Sequence, residues 1–320
     1  MDDGILVFAL DLTNRFRGVT RREGLLVPGP AGWGEFAPFL DYAPSACTPW
    51  LAAAREAASH PFPAPVRRRV PVNCTVPAVG PERAAAIVAR SGGCRTAKVK
   101  VAEAGQTLRD DLDRVAAVRD AIGSDGRIRI DANAAWERSD AIGAIRALHR
   151  AAKGIEYVEQ PCADVDDLAA VRRAVPVPIA ADESIRLAEN PFDVVRRGAA
   201  DIAVLKVGPL GGVSAALRMA ERLELPAVVS SALDTSIGLQ AGLALAAALP
   251  ELPYACGLGT GRLLDGDVTS TPLRTVDGSI TVPGTRIVPD LLSAGSGALA
   301  DPTTRARWIR RLADTERAAA

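Results

Sequence analysis

The amino-acid sequence predicts an α/β fold: a (β/α)8 barrel of the TIM type with an α+β capping domain. The main observation is an alternation that starts near residue 69, where short β-branched runs repeatedly precede longer helical segments. Such units form parallel sheets through right-handed crossovers, and eight of them close into a barrel. The second observation is that both ends of the chain lack this alternation, so we expect them to build the cap together.

Residues 1–68 form the N-terminal part of the predicted cap. Short β-like runs separated by polar or Gly/Pro turns predict strands, and one further segment predicts a helix. These elements are predicted at 4–12, 24–27, 32–36 and 49–59. The proline-rich stretch 60–65 is typical of a connector, so the predicted domain boundary follows it.

Residues 69–265 form the predicted barrel. Its strands are predicted at 70–76, 96–101, 128–131, 155–159, 179–182, 202–207, 227–231 and 254–257. Its clearest helices are predicted at 81–90, 108–122, 139–151, 213–223 and 237–248, whereas the glycine-rich segment 257–267 leaves the last helix unclear. Residues 266–320 contain a predicted strand at 279–282 and a helix from Thr303, and we expect them to return to the cap.

The composition excludes several classes of partner. Lys plus Arg total 38, as do Asp plus Glu, and a net charge of zero gives no electrostatic footprint for nucleic acid or an anionic membrane. Five scattered cysteines and only two histidines disfavour a zinc site or disulfides and favour a reducing cytoplasm. The start lacks a signal-peptide pattern, and the longest apolar stretch, 237–249, is too short to span a bilayer. The sequence leaves the oligomeric state open, and a monomer is compatible with it.

Three carboxylates fall at the ends of successive predicted strands: Asp131, Glu159 and Asp182. The carboxyl ends of barrel strands form the active-site face, so these side chains should converge. Helix capping explains any one of them alone, but explains three at the same barrel level less well. Converging carboxylates are costly to bury without a cation, and an all-oxygen ligand set suits Mg²⁺ or Mn²⁺.

Lysine is rare in this chain and is concentrated near those carboxylates. Only four of the 38 basic residues are lysines. Lys98 and Lys100 end the second predicted strand and Lys206 ends the sixth, while Lys153 fits a solvated surface position. Arginine stays protonated in proteins, whereas a buried lysine beside another cation can lose its proton and act as a base. The three strand-end lysines are therefore candidate catalytic residues.

These strand-end motifs resemble those of the enolase superfamily, in its muconate-lactonizing subgroup. The motifs are Lys98-Val-Lys100, Asp131-Ala-Asn133, Glu159-Gln-Pro-Cys162, Asp182-Glu-Ser184 and Lys206-Val-Gly208. The resemblance covers nearly the whole chain, since the family also has an N-terminal α+β cap completed by the C-terminal segment. Within the subgroup, the match is best to the dehydratases of menaquinone biosynthesis, which act on a small cyclohexadiene carboxylate.

The resemblance implies a mechanism. Asp131, Glu159 and Asp182 would bind Mg²⁺, with Mn²⁺ as an alternative ion, and the metal would hold the substrate carboxylate. Lys100 would remove the α-proton, and Lys98 would stay charged beside it. Lys206 would stabilise the resulting dianion from the opposite face.

Five further residues are predicted to contact the substrate. Arg129 and Asn133 share a strand face with Asp131, Ser230 and Ser231 follow strand seven, and Gly257 ends strand eight. The two serines are equally compatible with capping the next helix. The loop 14–18 of the cap is a candidate lid, and the glycine-rich segments 208–212 and 257–261 are better explained by tight turns than by phosphate binding.

Three other functions are also compatible with the sequence. Lysines on opposite faces also suit a racemase or epimerase acting on N-succinylamino acids, although Gly257-Leu-Gly259 replaces the Asp-x-Asp pair of dipeptide epimerases. A muconate cycloisomerase fits less well because of the Ser230-Ser231 segment. A catalytically inactive barrel that only binds a partner is disfavoured because the lysines and carboxylates are all present.

Overall fold

The computed structural model confirms the capped barrel and describes residues 4–16, 18–293 and 296–319. The cap sheet is antiparallel and contains β1 (Leu6–Phe16), β2 (Val19–Gly29) and β3 (Gly32–Phe36). A short 3-10 turn (Pro44–Cys47) leads into α1 (Thr48–Ser59), where a helix was predicted.

The first cap hairpin is longer than the sequence predicts. Residues 11–16 continue β1 with alternating exposed and half-buried side chains, and they pair with the start of β2. The polar composition of this ribbon hides it from a strand prediction based on apolar alternation. The predicted lid, residues 14–18, is therefore the tip of a hairpin, with Arg17 outside the described residues.

The C-terminal helix α10 (Pro302–Ala319) packs against the cap sheet. Trp308 is fully buried there, and its ring lies edge-on to Phe36 at 6.1 Å between centroids. Its indole N–H donates to Glu23 Oε2 at 3.0 Å, which satisfies the polar end of an otherwise apolar side chain. Both ends of the chain thus contribute to one apolar core.

Parallel strands form the wall of the barrel in chain order. They are β5 (Cys74–Val76), β6 (Thr96–Lys100), β7 (Arg127–Asp131), β8 (Tyr157–Glu159), β9 (Ile179–Ala181), β10 (Ile202–Lys206) and β11 (Ala227–Ser230). The eighth predicted strand, 254–257, is reduced to single bridges, because Cys256 pairs with Val72 and Gly257 with Ser230. These bridges close the barrel: the Gly257 N–H donates to Val229 O at 2.8 Å, and the Asn73 N–H donates to Cys256 O at 2.9 Å.

The single strand predicted over 70–76 is wrong. The chain instead forms β4 (Arg69–Pro71), which pairs antiparallel with β12 (Ser279–Thr281), and only then enters β5. Pro71 ends the first piece, and it has no N–H to donate to a continuing ladder. A short antiparallel pair therefore precedes the barrel strands.

Helices follow most barrel strands, and those predicted from the sequence are confirmed to within about a residue. They are α2 (Pro81–Ala89), α3 (Leu108–Ile122), α4 (Arg138–Ala151), α5 (Val165–Ala174), α6 (Glu183–Arg186), α7 (Asp193–Arg196), α8 (Val213–Leu223) and α9 (Ser236–Ala248). After the last bridge only a 3-10 turn (Gly261–Leu263) forms. Helix α9 is apolar on all sides because Leu239 and Leu243 face the barrel core while Ile237 joins the cap. Across the described part of the chain, every helix is too short or too polar to cross a membrane.

Candidate active site

The predicted lysines and carboxylates meet at one end of the barrel. Asp131 and Glu159 are the last residues of β7 and β8, and they are register partners. Lys100 ends β6 opposite Asp131, and Asp182 follows β9 directly. All four residues are buried. They lie close together because the strands end at the same level of the closed sheet.

Ammonium groups and carboxylates alternate in this cluster. Lys98 Nζ lies 2.9 Å from Asp131 Oδ2 and 2.8 Å from Glu159 Oε1. Lys100 Nζ donates to the same Asp131 oxygen at 2.5 Å and to Asn133 Oδ1 at 2.6 Å. On the far side, Lys206 Nζ donates to Asp182 Oδ2 at 2.5 Å. Every buried lysine of the cluster therefore has a carboxylate partner.

The pKa values of the two lysines of β6 are shifted in opposite directions. Burial lowers the pKa of Lys100, and the positive charge of Lys98 adds to this, although Asp131 opposes it. Lys98 is also penalised by burial, but Asp131 and Glu159 outweigh that penalty and raise its pKa well above the usual value. Of the pair, Lys100 is therefore the amine that loses its proton more readily.

The carboxylates divide in a similar way. Burial acts to raise the pKa of Asp131, but Lys100 and Lys98 hold it well below the ordinary range. Lys206 and Arg186 likewise lower the pKa of Asp182 against the effect of burial. Glu159 differs, because burial and the charge of Asp131 raise its pKa to about 7. The cluster thus holds more negative charge around Glu159 than Lys98 fully compensates.

The chemistry of these donors fits a hard divalent cation. Across the described ranges, no group of three His, Cys, Asp or Glu side chains is gathered as a formed metal site, and lysine ammoniums lie between the carboxylates instead. The donor set is nonetheless carboxylate oxygen from adjacent strands, which Mg²⁺ and Mn²⁺ prefer. Burial and the charge of Asp131 raise the pKa of Glu159, and a bound cation would oppose both effects. Asp131, Glu159 and Asp182 are therefore the residues able to hold such an ion.

A small cavity adjoins the lysines under the cap. Its free volume is about 30 Å³, and four aromatic residues of the cap contribute to it: Phe16, Phe39, Tyr42 and Trp50. The barrel contributes predicted site residues together with others, namely Thr75, Lys98, Lys100, Asn133, Arg186, Lys206, Pro209, Ser230, Ser231, Ala232, Leu233, Gly257 and Thr260. The cap therefore lies directly over the three lysines.

Four of the five predicted substrate contacts line this cavity. Asn133 lines the cavity and accepts a hydrogen bond from Lys100. Ser231 Oγ forms a 2.7 Å hydrogen bond with Thr260 Oγ1. Ser230 and Gly257 lie side by side, and a Cβ at Gly257 would stand 2.4 Å from Ser230 Oγ. A larger residue at position 257 would therefore force the Ser230 hydroxyl, which also lines the cavity, to move.

Arg129 is a correction to the sequence prediction. Its fully buried guanidinium pairs with Glu156, and it donates to Ala255 O at 2.6 Å. The aromatic rings of Tyr157 and Tyr254 pack on it, at 4.5 and 5.8 Å to their centroids. These contacts place Arg129 deeper in the barrel than Asp131, away from the residues that line the cavity. Its anionic partner is therefore part of the protein and not a substrate.

Arg186 was missed by the sequence analysis. It lies at the end of α6, where Nε donates to Asp182 Oδ1 at 3.0 Å and Nη1 donates to the hydroxyl of Tyr42 in the cap at 2.7 Å. Nη2 donates to Glu183 Oε1 at 2.6 Å. The spacing of four residues from Asp182 on a helical turn was the available signal. Phe16, whose ring centroid lies 5.2 Å from Lys100 Nζ, had no comparable signal.

A capped barrel with lysines and carboxylates interleaved at its strand ends defines an enzyme of the enolase type. A family model described as "Enolase C-terminal domain-like" matches residues 81–286, and "Enolase N-terminal domain-like" matches residues 7–58. The chain therefore belongs to the enolase superfamily, which confirms the resemblance found in its motifs.

Curated relatives are similar over most of the chain. An o-succinylbenzoate synthase of Thermobifida fusca is 64% identical over 275 residues, which are 86% of each chain. The protein of the same name from Mycolicibacterium smegmatis is 55% identical and covers 94% of this chain and 91% of its own. That of Mycobacterium tuberculosis is 53% identical and covers 97% and 93%.

Solved structures agree on the fold. A muconate lactonizing enzyme from Pseudomonas fluorescens aligns with a TM-score of 0.76 at 21% identity, covering 95% of this chain and 97% of that one. The L-Ala-D/L-Glu epimerase from Bacillus subtilis aligns with a TM-score of 0.75 at 24% identity, covering 92% and 98%. At these identities the similarity establishes the architecture alone.

Proposed function

We propose that this protein is an o-succinylbenzoate synthase. It is a dehydratase that converts 2-succinyl-6-hydroxy-2,4-cyclohexadiene-1-carboxylate into 2-succinylbenzoate, for menaquinone biosynthesis. The observation that carries the proposal is 53–64% identity, over 86% or more of the chain, to curated enzymes of that name. The arrangement of the buried lysines supports it independently.

The reaction begins with a weakly acidic C–H bond next to a carboxylate. Its removal creates a dianion, so positive charge must be in place before the proton leaves. When bound by Asp131, Glu159 and Asp182, Mg²⁺ or Mn²⁺ would supply that charge at the substrate carboxylate. The protein contributes ammonium groups already fixed in a buried environment, so little reorganisation is needed during the reaction.

Lys100 is the proposed base. Its amine lines the cavity, its pKa is lowered by burial, and Asp131 and Asn133 fix its position. After taking the α-proton, the same ammonium can return a proton to the β-hydroxyl group. That group then leaves as water and the ring becomes aromatic, so one lysine serves as base and then as acid.

Lys98 and Lys206 are the proposed electrostatic partners. The charge of Lys98 is held by Asp131 and Glu159, so it lowers the proton affinity of Lys100 without competing for the substrate proton. Lys206 lies on β10, four strands from β6 in the barrel order, and therefore faces Lys100 from the opposite side. It is placed to stabilise the dianion from that side.

The test is turnover of the cyclohexadiene carboxylate by purified protein with Mg²⁺, followed by chromatography of 2-succinylbenzoate. Lys100→Ala should lower kcat by a factor of at least about 10²–10⁴, the usual contribution of a general base, while the melting temperature stays close to that of the wild type. Lys153→Ala is the matched control, because Lys153 is exposed in the turn between α4 and the start of β8, whereas the cluster lies at the opposite, carboxyl-terminal ends of the strands. Full activity of the Lys100 variant would overturn the assignment of the base, and activity after exhaustive chelation would overturn the metal.

Epimerisation of N-succinylamino acids is a second candidate activity. It is favoured by Lys100 and Lys206 both lining the cavity from opposite strands, as a two-base proton transfer requires. Incubation of an N-succinylamino acid in deuterated water should then exchange its α-hydrogen, and Lys206→Ala should abolish exchange from one enantiomer only. Absence of exchange in the wild-type enzyme would restrict the site to dehydration.

We place the enzyme in the cytoplasm. All five cysteines are buried free thiols, which suits a reducing compartment. Its proposed partner is a small carboxylate. Oxidative pairing of these thiols in protein isolated from cells would contradict the assignment.

A further inference from the structure

A second, larger cavity lies between the cap hairpin and the barrel. Its volume is about 310 Å³, within the range of small-molecule sites. The tip of β1 forms one wall through Thr13 and Asn14, and α2 forms another. The segment that follows the last barrel bridge, around Arg262, closes the third side. None of the lysines or carboxylates of the active site lines it.

Positive charge dominates this second cavity. Arg83, Arg90 and Arg262 line it, and among the described residues no Asp or Glu does. Arg83 donates only to neutral groups, Asn14 Oδ1 at 2.6 Å and Thr13 O at 3.1 Å. In the part of the chain that the structure describes, none of the three forms an ion pair. The three guanidinium groups therefore leave a positive potential that an anion would neutralise.

Part of the remaining lining is apolar, beside the polar side chains of Thr13, Asn14, Thr75 and Ser91. Ala86 and Ile87 from α2 and Leu263 from the opposite wall provide a surface for hydrocarbon. A bare inorganic anion would leave this surface and most of the volume unfilled, whereas an aromatic ring would cover it. Guanidinium groups match carboxylates in planar, bidentate geometry. We propose that this second cavity binds a small aromatic carboxylate, at a site separate from the active site.

The position of the second cavity links it to the active site without overlap. Thr75 lines both cavities, so the two adjoin at this residue. The hairpin whose tip contacts the second cavity also carries Phe16 over Lys100. The ligand would thus touch the hairpin but none of the candidate metal ligands, and its binding should not depend on Mg²⁺.

The test uses the fluorescent probe 2-naphthoate with the full chain, in the presence and absence of Mg²⁺. We expect saturable binding that is unchanged by Mg²⁺, weakened at least fivefold by Arg90→Gln or Arg262→Gln, and weakened at least twentyfold by the double variant. Arg109→Gln is the matched control, because Arg109 is an exposed arginine of α3 paired with Asp113. Melting temperatures show whether each variant is folded, and none of the substituted arginines belongs to the catalytic cluster.

Three outcomes would overturn the proposal. Wild-type affinity in the folded double variant would place the probe elsewhere. Equal binding of the neutral analogue 2-naphthalenemethanol would show that charge is not recognised. Displacement of the probe by inorganic phosphate at concentrations below the dissociation constant of naphthoate would show a general anion site with no role for the apolar wall.

Discussion

Glu35 couples the cap to the barrel and makes stability depend on pH. This residue of β3 reaches the N-terminus of α9, where its carboxyl group accepts hydrogen bonds from Thr235 N at 3.1 Å, Thr235 Oγ1 at 2.5 Å and Gly238 N at 3.0 Å. Burial, together with the nearby Asp234, raises the pKa of Glu35 from an ordinary 4.5 to about 8. Burial also raises the pKa of Asp234. The pair of carboxyl groups therefore retains a proton at neutral pH.

The expected effect of Glu35→Gln follows from proton linkage. Because the folded protein holds this proton more tightly than the unfolded chain, its stabilising contribution is complete below about pH 4.5 and is lost as the pH rises towards 8. One proton changes the free energy of unfolding by at most about 1.4 kcal/mol per pH unit. Between pH 5 and pH 8 the free energy of unfolding of the wild type should therefore fall by up to about 4 kcal/mol relative to that of Glu35→Gln, which has no titrating group at this position.

Urea unfolding followed by circular dichroism at pH 5, 6, 7 and 8 measures this difference. Glu56→Gln is the matched control, because Glu56 of α1 also crosses from the cap to a helix N-terminus, accepting from Ser214 N at 3.0 Å. The change in stability of this control measures the effect of replacing a glutamate by glutamine at a helix N-terminus. A difference between wild type and Glu35→Gln that is the same at pH 5 and pH 8 would refute the shared-proton argument.

Three further predictions concern the cap and the active site. Trp308→Ala should lower the free energy of unfolding by about 3–5 kcal/mol in urea titrations, and a loss below about 1 kcal/mol would contradict its role in joining the chain ends. Phe16→Ala should admit water to Lys100 and raise its pKa, moving the ascending limb of the kcat/KM profile to higher pH; an unmoved limb would show that Phe16 does not desolvate the amine. Arg186→Met should weaken Mg²⁺ binding about tenfold or more in calorimetry, because Asp182 loses an orienting partner, and unchanged affinity would contradict that role.

Local signals explain which parts of the fold could be predicted. Helix α3 was predicted at its observed bounds, and the structure shows local signals at both ends, a capping box of Thr107 and Asp110 at its start and Gly123 after its end. The prediction of a regular eighth strand was wrong, because single bridges to residues far away in the sequence hold the segment around Cys256 and Gly257. No local pattern distinguishes such a segment from a regular strand.

Some residues of the site could likewise be predicted from the sequence, and others could not. Asp131 and Glu159 could be placed because strand ends mark the active-site face, whichever residues follow. Arg129 could not, because period-two alternation gives the face of a residue but not its depth. Arg129 comes two residues before Asp131 on β7, so it lies about 7 Å deeper in the barrel than Asp131. There it packs beside Tyr157 instead of lining the cavity. Depth alone does not decide the outcome, because Lys98 is the register partner of Arg129 and still reaches Asp131, whereas Arg129 pairs with Glu156.

Arg186 connects the cap to Asp182, a proposed metal ligand. Asp182 is held by two cations, Lys206 from a barrel strand and Arg186 from α6, on different carboxylate oxygens. Arg186 is held in turn by Tyr42 of the cap. Displacing the cap would leave Arg186 held by Glu183 alone on that side, and would so loosen the contact of Arg186 with Asp182, a proposed metal ligand and the partner of Lys206. Substitutions at Tyr42 should for this reason change kcat as well as KM, since they loosen a chain of contacts that ends on the reacting groups.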